Sequence, residues 1–283
     1  MVSRGHEVTV VTRSKQGLAT QDSIEGMDIF RYAMPTSQVL YPLGVARAEG
    51  IVKRLLSEKE YDVINMHHAA AGVAAERARR DRSGIPSVFV FHGPWYKEAM
   101  AKEGRLEAAQ GDTSVLHPKY GLRKWVDRYI LDHCTAFVTL SDYMRQEALK
   151  IAPASAQKHR KIPGGVDIDR FKPAEDKMAV WRELSLPEDK IILLTVRRLA
   201  TRMGLENLIQ AMAIVEKERA DVMLLIGGQG EIKEKLQQLI RDLGLQRTTM
   251  TGYIAYDKLP KYYQASDLFV MPSITLEGFG LST

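Results

Sequence analysis

Residues 191–209 read IILLTVRRLATRMGLENLI, and this stretch decides the fold class. Ile191 to Val196 is a short apolar run of the kind that a parallel sheet buries on both faces. After a basic loop and Gly204, apolar residues return at helical spacing at Leu205, Leu208, Ile209, Met212 and Val215. A buried strand followed by an amphipathic helix is the repeating unit of a parallel α/β sheet.

The alternation of strands and helices continues on both sides of this stretch. Further apolar or β-branched runs predict strands at 6–12, 61–66, 87–92, 136–140, 222–226 and 268–271. Residues 232–243 again show helical spacing and precede Gly244, which is typical of a helix end. The pattern indicates an α/β fold with doubly wound parallel sheets.

The sequence also indicates where two domains meet. Residues 171–187 lose the pattern and contain Lys-Pro and Leu-Pro steps, which are typical of a linker. We therefore predict domains at residues 1–174 and 175–283. Both domains are expected to be incomplete, because residues 4–6 lead into a strand with no strand before it and residue 283 falls where a helix should begin.

Composition restricts the class of protein. The 283 residues are 45% hydrophobic and 27% charged, which is typical of a folded chain. The single cysteine, Cys134, excludes a disulfide framework and fits a reducing cytoplasm. The net charge of +5 is spread along the chain. It favours phosphorylated ligands or an anionic membrane surface over nucleic acid.

Two arginines in the loop of residues 197–204 are candidate phosphate ligands. Arg198 and Arg202 stand four residues apart, and Gly204 opens the following helix. A diphosphate is bound by paired, fork-shaped donors and by helix amino-end amides. A solvated basic turn is the alternative interpretation, but the position at the carboxyl end of a strand favours phosphate.

A second glycine turn, Gly227 to Glu231, follows the next predicted strand. Gly228 and Gly230 would let the backbone approach a ligand. The turn lacks the six-position dinucleotide fingerprint and the acidic residue expected after the next strand, so the sequence disfavours NAD. A tight connection between strand and helix explains the same glycines equally well.

Glu277 follows the last predicted strand. We expect residues 268–271 to be buried, and Pro272 cannot continue their hydrogen-bond ladder. Ligands of open α/β sheets bind at the carboxyl ends of strands, which places Glu277 at that edge. Gly278 and Gly280 would let backbone amides meet an anion there.

Histidines and aspartates provide further candidates. His92 ends a predicted strand before Gly-Pro, so its ring can face a cleft; a buried structural histidine is the alternative. His67 and His68 are adjacent on an extended strand, so they point to opposite faces and cannot share a metal ion. Asp167 and Asp169 resemble a metal-binding pair, but a loop and helix-cap role is favoured.

A predicted helix around residue 126 combines apolar and basic residues. Its apolar stripe contains Leu122, Trp125, Val126, Tyr129 and Ile130. Its basic residues are Arg123, Lys124 and Arg128. A membrane-surface role stays open, but core packing against the strand at 136–140 is favoured because helices ordinarily cover sheets in this way.

Together these motifs resemble the retaining GT-B glycosyltransferases of group 1, also called family four. Segments similar to the acceptor-side domain are 4–12, 91–95, 138–144 and 163–171. Segments similar to the donor domain are 197–204, 227–230, 252–267 and 272–280. The resemblance covers nearly the whole chain and implies two Rossmann-like domains facing a cleft, an acceptor domain at 1–174 and a donor domain at 175–283.

The resemblance also implies catalytic roles. Arg198 matches the arginine that neutralises the donor diphosphate, and His92 matches the histidine that faces the transferred sugar. Glu277 matches the first of two glutamates, the one that contacts sugar hydroxyls; the second would fall at position 285. A family lysine is replaced by Met203, and Arg202 is expected to take its role.

The predicted donor-binding set extends beyond these residues. Gly278, Phe279 and Gly280 match the loop whose amides meet phosphate and sugar, and Tyr253 and Ile254 match the stretch near the nucleobase. The set also includes the loop glycines Gly204, Gly228 and Gly230.

The implied function is sugar transfer from a UDP-sugar or GDP-sugar to a glycan, lipid-linked or small-molecule acceptor. The resemblance also implies that the anomeric configuration is retained and that no cofactor or metal is required. It implies a role in polysaccharide biosynthesis and a cytoplasmic location that allows contact with the inner face of the membrane. Two alternatives stay open: a non-catalytic nucleotide-sugar-binding fragment or assembly partner, and a sugar-nucleotide epimerase on the same scaffold. No sequence feature indicates a phosphorylase.

Overall fold

The computed structural model describes residues 1–35, 40–80, 84–105 and 118–280. The strands are β1 (Val8–Arg13), β2 (Gln21–Ile24), β3 (Met27–Tyr32), β4 (Ile64–Met66), β5 (Ser87–Val90), β6 (Ala136–Thr139), β7 (His159–Lys161), β8 (Ile191–Val196), β9 (Val222–Gly227), β10 (Thr248–Gly252) and β11 (Leu268–Phe269). The α-helices are α1 (Tyr41–Glu58), α2 (Ala69–Arg80), α3 (Trp95–Lys102), α4 (Pro118–His133), α5 (Asp142–Ile151), α6 (Lys177–Glu183), α7 (Leu205–Glu218), α8 (Lys233–Asp242) and α9 (Leu259–Ala265).

By its internal contacts the chain divides into two units. The first contains Met1–Lys97 and Ala108–Pro163, and the second contains Glu98–Glu107 and Gly164–Thr283. The domain boundary that the sequence predicts near residue 175 stays a prediction.

The first unit contains two sheets. Strands β4, β5, β6 and β7 form a parallel sheet in that order. Strands β1, β3 and β2 form a separate sheet, in which β1 runs parallel to β3 and β2 runs antiparallel to it. Residues of β3, α1 and α2 pack together in a small core at Tyr32, Ala48 and Ala74.

The second unit is a four-stranded parallel sheet in the order β10-β9-β8-β11. Its two faces carry different cores, because alternate residues of a strand point to opposite faces. Leu224 and Ile226 of β9 pack with residues of α7 and α8, and Leu225 packs in the core that contains Trp181 of α6 and Ala265 of α9. Helices therefore cover both faces, as the apolar runs of β8 and β9 predict.

The strand order of the second unit fixes where a ligand can bind. From β8 the chain proceeds to β9 and then to β10 on one side, whereas β11 lies on the other side of β8. The order thus reverses at β8, and open α/β sheets bind ligands at such a switch point, outside the carboxyl ends of the strands. The segments that begin there are residues 197–204 after β8 and residues 270–280 after β11.

The structure confirms the α/β class and corrects several details. Leu268 is 57% exposed, so the prediction of a buried last strand was wrong. The physical reason is that β11 lies at the edge of its sheet: among the described strands, β8 is its single neighbour. The expectation of purely parallel sheets fails at β2, which returns to β3 through Glu25 and Gly26 with φ of 52° and 77°, as a tight hairpin turn requires.

Candidate functional site

The loops that follow β8 and β9 stay paired beyond the ends of the strands. The amide of Arg197 donates to the backbone carbonyl of Gly227 at 3.0 Å, and the amide of Leu199 donates to the backbone carbonyl of Gln229 at 2.9 Å. Gly228 has φ of +130°, and a Cβ atom there would lie 1.9 Å from the carbonyl oxygen of Arg197. A Cβ at Gly230 would lie 2.1 Å from the carbonyl oxygen of Leu199. These glycines are therefore explained by loop packing, and their contact with a ligand stays a prediction.

The loop that follows β11 packs onto the loop that follows β8. The amide of Ile274 donates to the carbonyl of Arg202 at 3.1 Å, and Nη1 of Arg202 donates to the carbonyl of Leu276 at 3.1 Å. A Cβ atom at Gly204 would lie 1.9 Å from the carbonyl oxygen of Pro272. Glycine at 204 is thus what allows the two loops to meet.

Glu277 follows a strained residue. Leu276 has φ of 56°, a left-handed conformation that costs a leucine roughly 1–3 kcal/mol. The strain is held by burial, since Leu276 is 6% exposed, and by the hydrogen bond from Arg202. The backbone that presents Glu277 is therefore determined by its surroundings, a feature common at functional sites.

The carboxylate of Glu277 has two polar partners at one oxygen. Nη2 of Arg197 and Oγ of Ser273 both donate to Oε2, each at 2.7 Å. Burial raises the pKa of Glu277, but hydrogen bonds from Ser273 and Arg197 and the charges of Arg197 and Arg202 outweigh it, so the pKa is lowered. Glu277 is therefore ionised at neutral pH.

Both predicted arginines lie in the loop after β8. Arg198 is exposed and lines a small cavity with Lys102, Arg202 and Glu231. Arg202 is half-buried; burial lowers the pKa of its guanidinium, the charge of Glu98 opposes that change, and the charge of Arg198 adds to it. Partial burial strengthens the field of such a cation, because less water screens it.

Arg197 is a residue that the sequence did not single out. Its side chain is only 6% exposed and is paired with Glu277, although the two are eighty positions apart in the chain. The sequence shows a basic segment after β8, but that segment contains three arginines. The sequence could not show which guanidinium turns inward.

The remaining predicted donor-binding residues lie at the same edge of the second unit. Ile254 packs over Gly227, whereas Tyr253 is 67% exposed. Phe279 and Gly280 line a cavity of about 1020 Å³ together with Val196 at the end of β8. The structure thus brings the predicted residues of β8, β10 and the segment after β11 to one edge.

His92 belongs to the first unit. Its Nε2 lies 3.2 Å from Nδ1 of His67, and the two rings stack at 5.5 Å. His68 instead accepts the amide of Ala70 through Nδ1, and its ring meets Trp95 edge-on at 6.0 Å. His67 and His68 thus have different partners, but both follow the end of β4 instead of lying on a strand, so the predicted alternation of their side chains along a strand is not observed. The pairing of His67 with His92 was not foreseen.

The first aspartate of the Asp-x-Asp pair caps a turn. Oδ1 of Asp167 accepts the amides of Asp169 and Arg170 at 3.1 Å and 3.2 Å. This confirms the predicted loop role for Asp167, and the role of Asp169 stays a prediction. Among the described residues, no group of three or more histidine, cysteine, aspartate or glutamate side chains is placed to hold a metal ion.

Helix α4 is buried along only part of its apolar stripe. Val126 and Ile130 lie in the core, while Leu122 is 50% exposed and Trp125 is 53% exposed. The core-packing prediction holds for the first pair and fails for the second, because the stripe is wider than the face that contacts the protein. Within the described residues, no helix is both long and apolar enough to span a membrane.

Comparison with known proteins identifies two family profiles along the chain. Residues 1–170 match Glycosyltransferase Family 4, and residues 178–283 match Glycosyl transferases group 1.

Curated relatives and solved structures match almost the whole chain. An uncharacterized glycosyltransferase of Methanocaldococcus jannaschii is 26% identical over 99% of this chain and 69% of its own length. A GDP-mannose-dependent α-(1-6)-phosphatidylinositol monomannoside mannosyltransferase of Mycolicibacterium smegmatis is 27% identical over 98% and 69%. The structure of sucrose-phosphate synthase from Thermosynechococcus elongatus superposes with a TM-score of 0.79 at 22% identity, over 99% of this chain and 69% of that one.

Proposed function

Because the chain belongs to the group 1, family 4 glycosyltransferases, we propose that it transfers a sugar from a nucleoside diphosphate sugar to a hydroxyl acceptor with retention of anomeric configuration. The α/β fold is that of GT-B glycosyltransferases, and the chain is a glycosyltransferase. We propose, beyond family membership, the donor, the acceptor, the stereochemistry of transfer and the roles of the residues.

One observation carries the assignment of the donor site. The arginine-bearing loop after β8 and the Glu277-bearing loop after β11 pack together at the point where the strand order reverses. A nucleoside diphosphate sugar offers an anion to Arg198 and Arg202 and hydroxyl groups to Glu277. Cations and a carboxylate at one edge suit such a ligand better than they suit a simple phosphate.

In the proposed reaction the bond from the anomeric carbon to the diphosphate oxygen breaks. The acceptor oxygen forms its bond on the same face of the sugar, and its proton passes to an oxygen of the departing phosphate. Arg198 and Arg202 stabilise the negative charge that grows on the diphosphate, which is where preorganised charge lowers a barrier most. Glu277 orients the sugar in the second unit. For His92, in the first unit, a role towards the sugar is supported by the family resemblance alone. No metal ion is required, because the arginines supply the positive charge.

The donor is a nucleoside diphosphate sugar with a guanine or uracil base. The Mycolicibacterium relative is GDP-mannose-dependent by its name, which supports GDP-mannose as the first donor to try. The exposed ring of Tyr253 and the neighbouring Ile254 offer a surface for the base. We assign them to the nucleobase and assign Gly204, Gly228, Gly230, Gly278, Phe279 and Gly280 to the diphosphate and sugar.

The acceptor is a hydroxyl group on a glycan, a lipid-linked glycan or a small molecule. The same relative acts on a phosphatidylinositol monomannoside by its name, which supports a lipid-linked acceptor. Exposed Leu122 and Trp125 on the basic helix α4 support contact with a membrane surface. The proposed location is therefore the cytoplasmic face of a membrane.

Calorimetry with GDP and UDP tests the donor site. We expect Arg198→Ala to weaken nucleotide binding by about 10- to 100-fold, the value of one or two charged hydrogen bonds. Arg241→Ala is the matched control, because Arg241 lies on α8 of the same unit and pairs with Gln238. Transfer of labelled mannose from GDP-mannose to a membrane extract then tests turnover.

Equal nucleotide affinity of the wild type and Arg198→Ala would contradict the assignment of the diphosphate site. Conversion of GDP-mannose to another sugar nucleotide without an acceptor would instead identify an epimerase.

A further inference from the structure

The second unit contains a buried guanidinium whose hydrogen bonds are incomplete. Nη2 of Arg197 donates to Oε2 of Glu277 at 2.7 Å and lies 3.0 Å from Sδ of Met203. Nε and Nη1 of the same side chain are buried and have no hydrogen-bond partner within the described residues. Arg197 therefore keeps one ion pair and leaves two nitrogens unsatisfied.

Such an arrangement is unfavourable for folding. A guanidinium carries five donor hydrogens, and each buried donor without an acceptor loses the hydrogen bond that water would provide. An apolar side chain of similar size is usually no less stable than a buried ion pair. The charge of Arg197 is thus explained poorly by stability and must be explained by its effect on its partner.

That partner is a carboxylate with one anchored oxygen. Oε2 of Glu277 accepts from both Arg197 and Ser273, while Oε1 takes part in neither bond. The side chain of Glu277 is 34% exposed, so part of the carboxylate can reach a ligand. Anchoring one oxygen fixes the side-chain rotamer and leaves the other oxygen to accept hydrogen bonds.

We propose that Arg197 is a positioning residue for Glu277, holding Oε2 so that Oε1 accepts hydrogen bonds from hydroxyl groups of the donor sugar. This inference rests on the proposed function, because it requires a nucleoside diphosphate sugar at the site. It adds to the proposed sugar contact of Glu277 the residue that fixes the orientation of its carboxylate.

Met203 makes this position of Arg197 possible. The thioether of Met203 contacts Nη2 of Arg197 and carries no charge. A lysine at position 203 could place a second cation against the buried guanidinium and would repel it. The inward position of Arg197 therefore depends on an uncharged residue at position 203. The guanidinium of Arg197 supplies the positive charge next to Met203.

The charges around Glu277 predict how the variant should behave. The groups that act on it are Arg197, Arg202 and the hydroxyl of Ser273, and their combined effect lowers its pKa against the effect of burial. Removing the charge of Arg197 leaves burial with less opposition, so the pKa must rise. As the pH falls, the carboxylate of the variant is protonated first, so the variant loses sugar binding at a higher pH than the wild type does.

The test compares Arg197→Met and Arg197→Lys with Arg247→Met. Arg247 is a matched control because it is also a partly buried arginine with an unsatisfied Nε. It lies immediately before β10 and donates to the carbonyl groups of Glu216 and Arg219. The first readout is the pKa of Glu277 by carbon-13 NMR, with Glu277→Gln to assign the signal. The second is the ratio of affinities for GDP-mannose and GDP, and thermal melting checks that each variant folds.

We expect Arg197→Met to raise the Glu277 titration midpoint by about one pH unit or more. It should weaken GDP-mannose binding about tenfold while changing GDP binding less than about twofold. Arg197→Lys should restore part of both effects, and Arg247→Met should show neither.

An unchanged Glu277 titration, or an equal loss of GDP and GDP-mannose affinity, would overturn the role of Arg197. Failure of the wild type to bind any nucleotide would instead overturn the proposed function, and the NMR measurement would still show whether Arg197 sets the state of Glu277.

Discussion

At the residue scale, the candidate site depends on places where backbones meet without side chains between them. Gly204 lies against the carbonyl of Pro272 and Gly228 against that of Arg197. Leu276 is held in a left-handed conformation by the packing around it. The position of Glu277 is therefore set by close contacts between backbone segments, and small changes there should propagate to it.

Replacing Gly204 by alanine tests this dependence. The left-handed φ of +69° costs alanine about 1–2 kcal/mol, and the clash with Pro272 adds about 1–3 kcal/mol. Gly244→Ala is the control, since Gly244 has φ of +65° and no atom within 4 Å of an added Cβ. Urea unfolding should show the larger loss for Gly204→Ala, accompanied by weaker GDP-mannose binding. Equal losses in the two variants would show that the Pro272 contact has no effect.

The sequence could predict part of this arrangement. Arg198, Arg202 and Glu277 were candidates because each follows a predicted strand, and the structure brings all three to one edge. The inward turn of Arg197 could not be predicted. It depends on the loop after β11 folding back onto the loop after β8, which is a contact between residues 80 positions apart.

At the element scale, every predicted strand has a counterpart in the structure, whereas β2, β3, β7 and β10 were not predicted. Strand β8 was predicted with its observed bounds because both of its faces are covered and its sequence is apolar except at Thr195. Strands β2 and β7 read QDSI and HRK, and most of their residues are exposed. Polar strands at the edge of a sheet carry no period that a sequence alone can reveal.

Helix α4 allows a test at this scale. Leu122 and Trp125 are exposed beside Arg123, Lys124 and Arg128, and burying them in a bilayer interface is favourable. The double variant Leu122→Ser, Trp125→Ser should bind vesicles containing phosphatidylglycerol about tenfold more weakly than the wild type. Ile214→Ser is the control, because Ile214 is 63% exposed on α7.

Co-sedimentation provides the measurement. Wild-type binding to anionic vesicles but not to pure phosphatidylcholine is the expected result, since about 1 kcal/mol per basic residue depends on lipid charge. If the serine variant sediments as the wild type does, α4 is not the membrane-contacting surface.

At the scale of the whole molecule, two units with separate cores make different contributions. The first unit contains His92 and its partner His67, and the second contains the arginines and Glu277. The α/β class was readable from sequence, because each strand–helix step is local. The placement of β11 beside β8 was not, since it pairs residues 75 positions apart and creates the switch point.

This division predicts that a nucleotide protects one unit only. GDP or UDP at about one hundred times its dissociation constant stabilises the bound state by about 2.7 kcal/mol. Hydrogen exchange should therefore slow in peptides covering residues 197–204, 227–231 and 272–280, while the amides of β4, β5 and β6 exchange unchanged. The Arg198→Ala variant at the same nucleotide concentration should lose this protection, because fewer molecules are bound. Protection confined to the first unit would place the nucleotide there and contradict the donor site; protection of the three loops, absent in Arg198→Ala, would tie nucleotide binding to the edge where the strand order reverses.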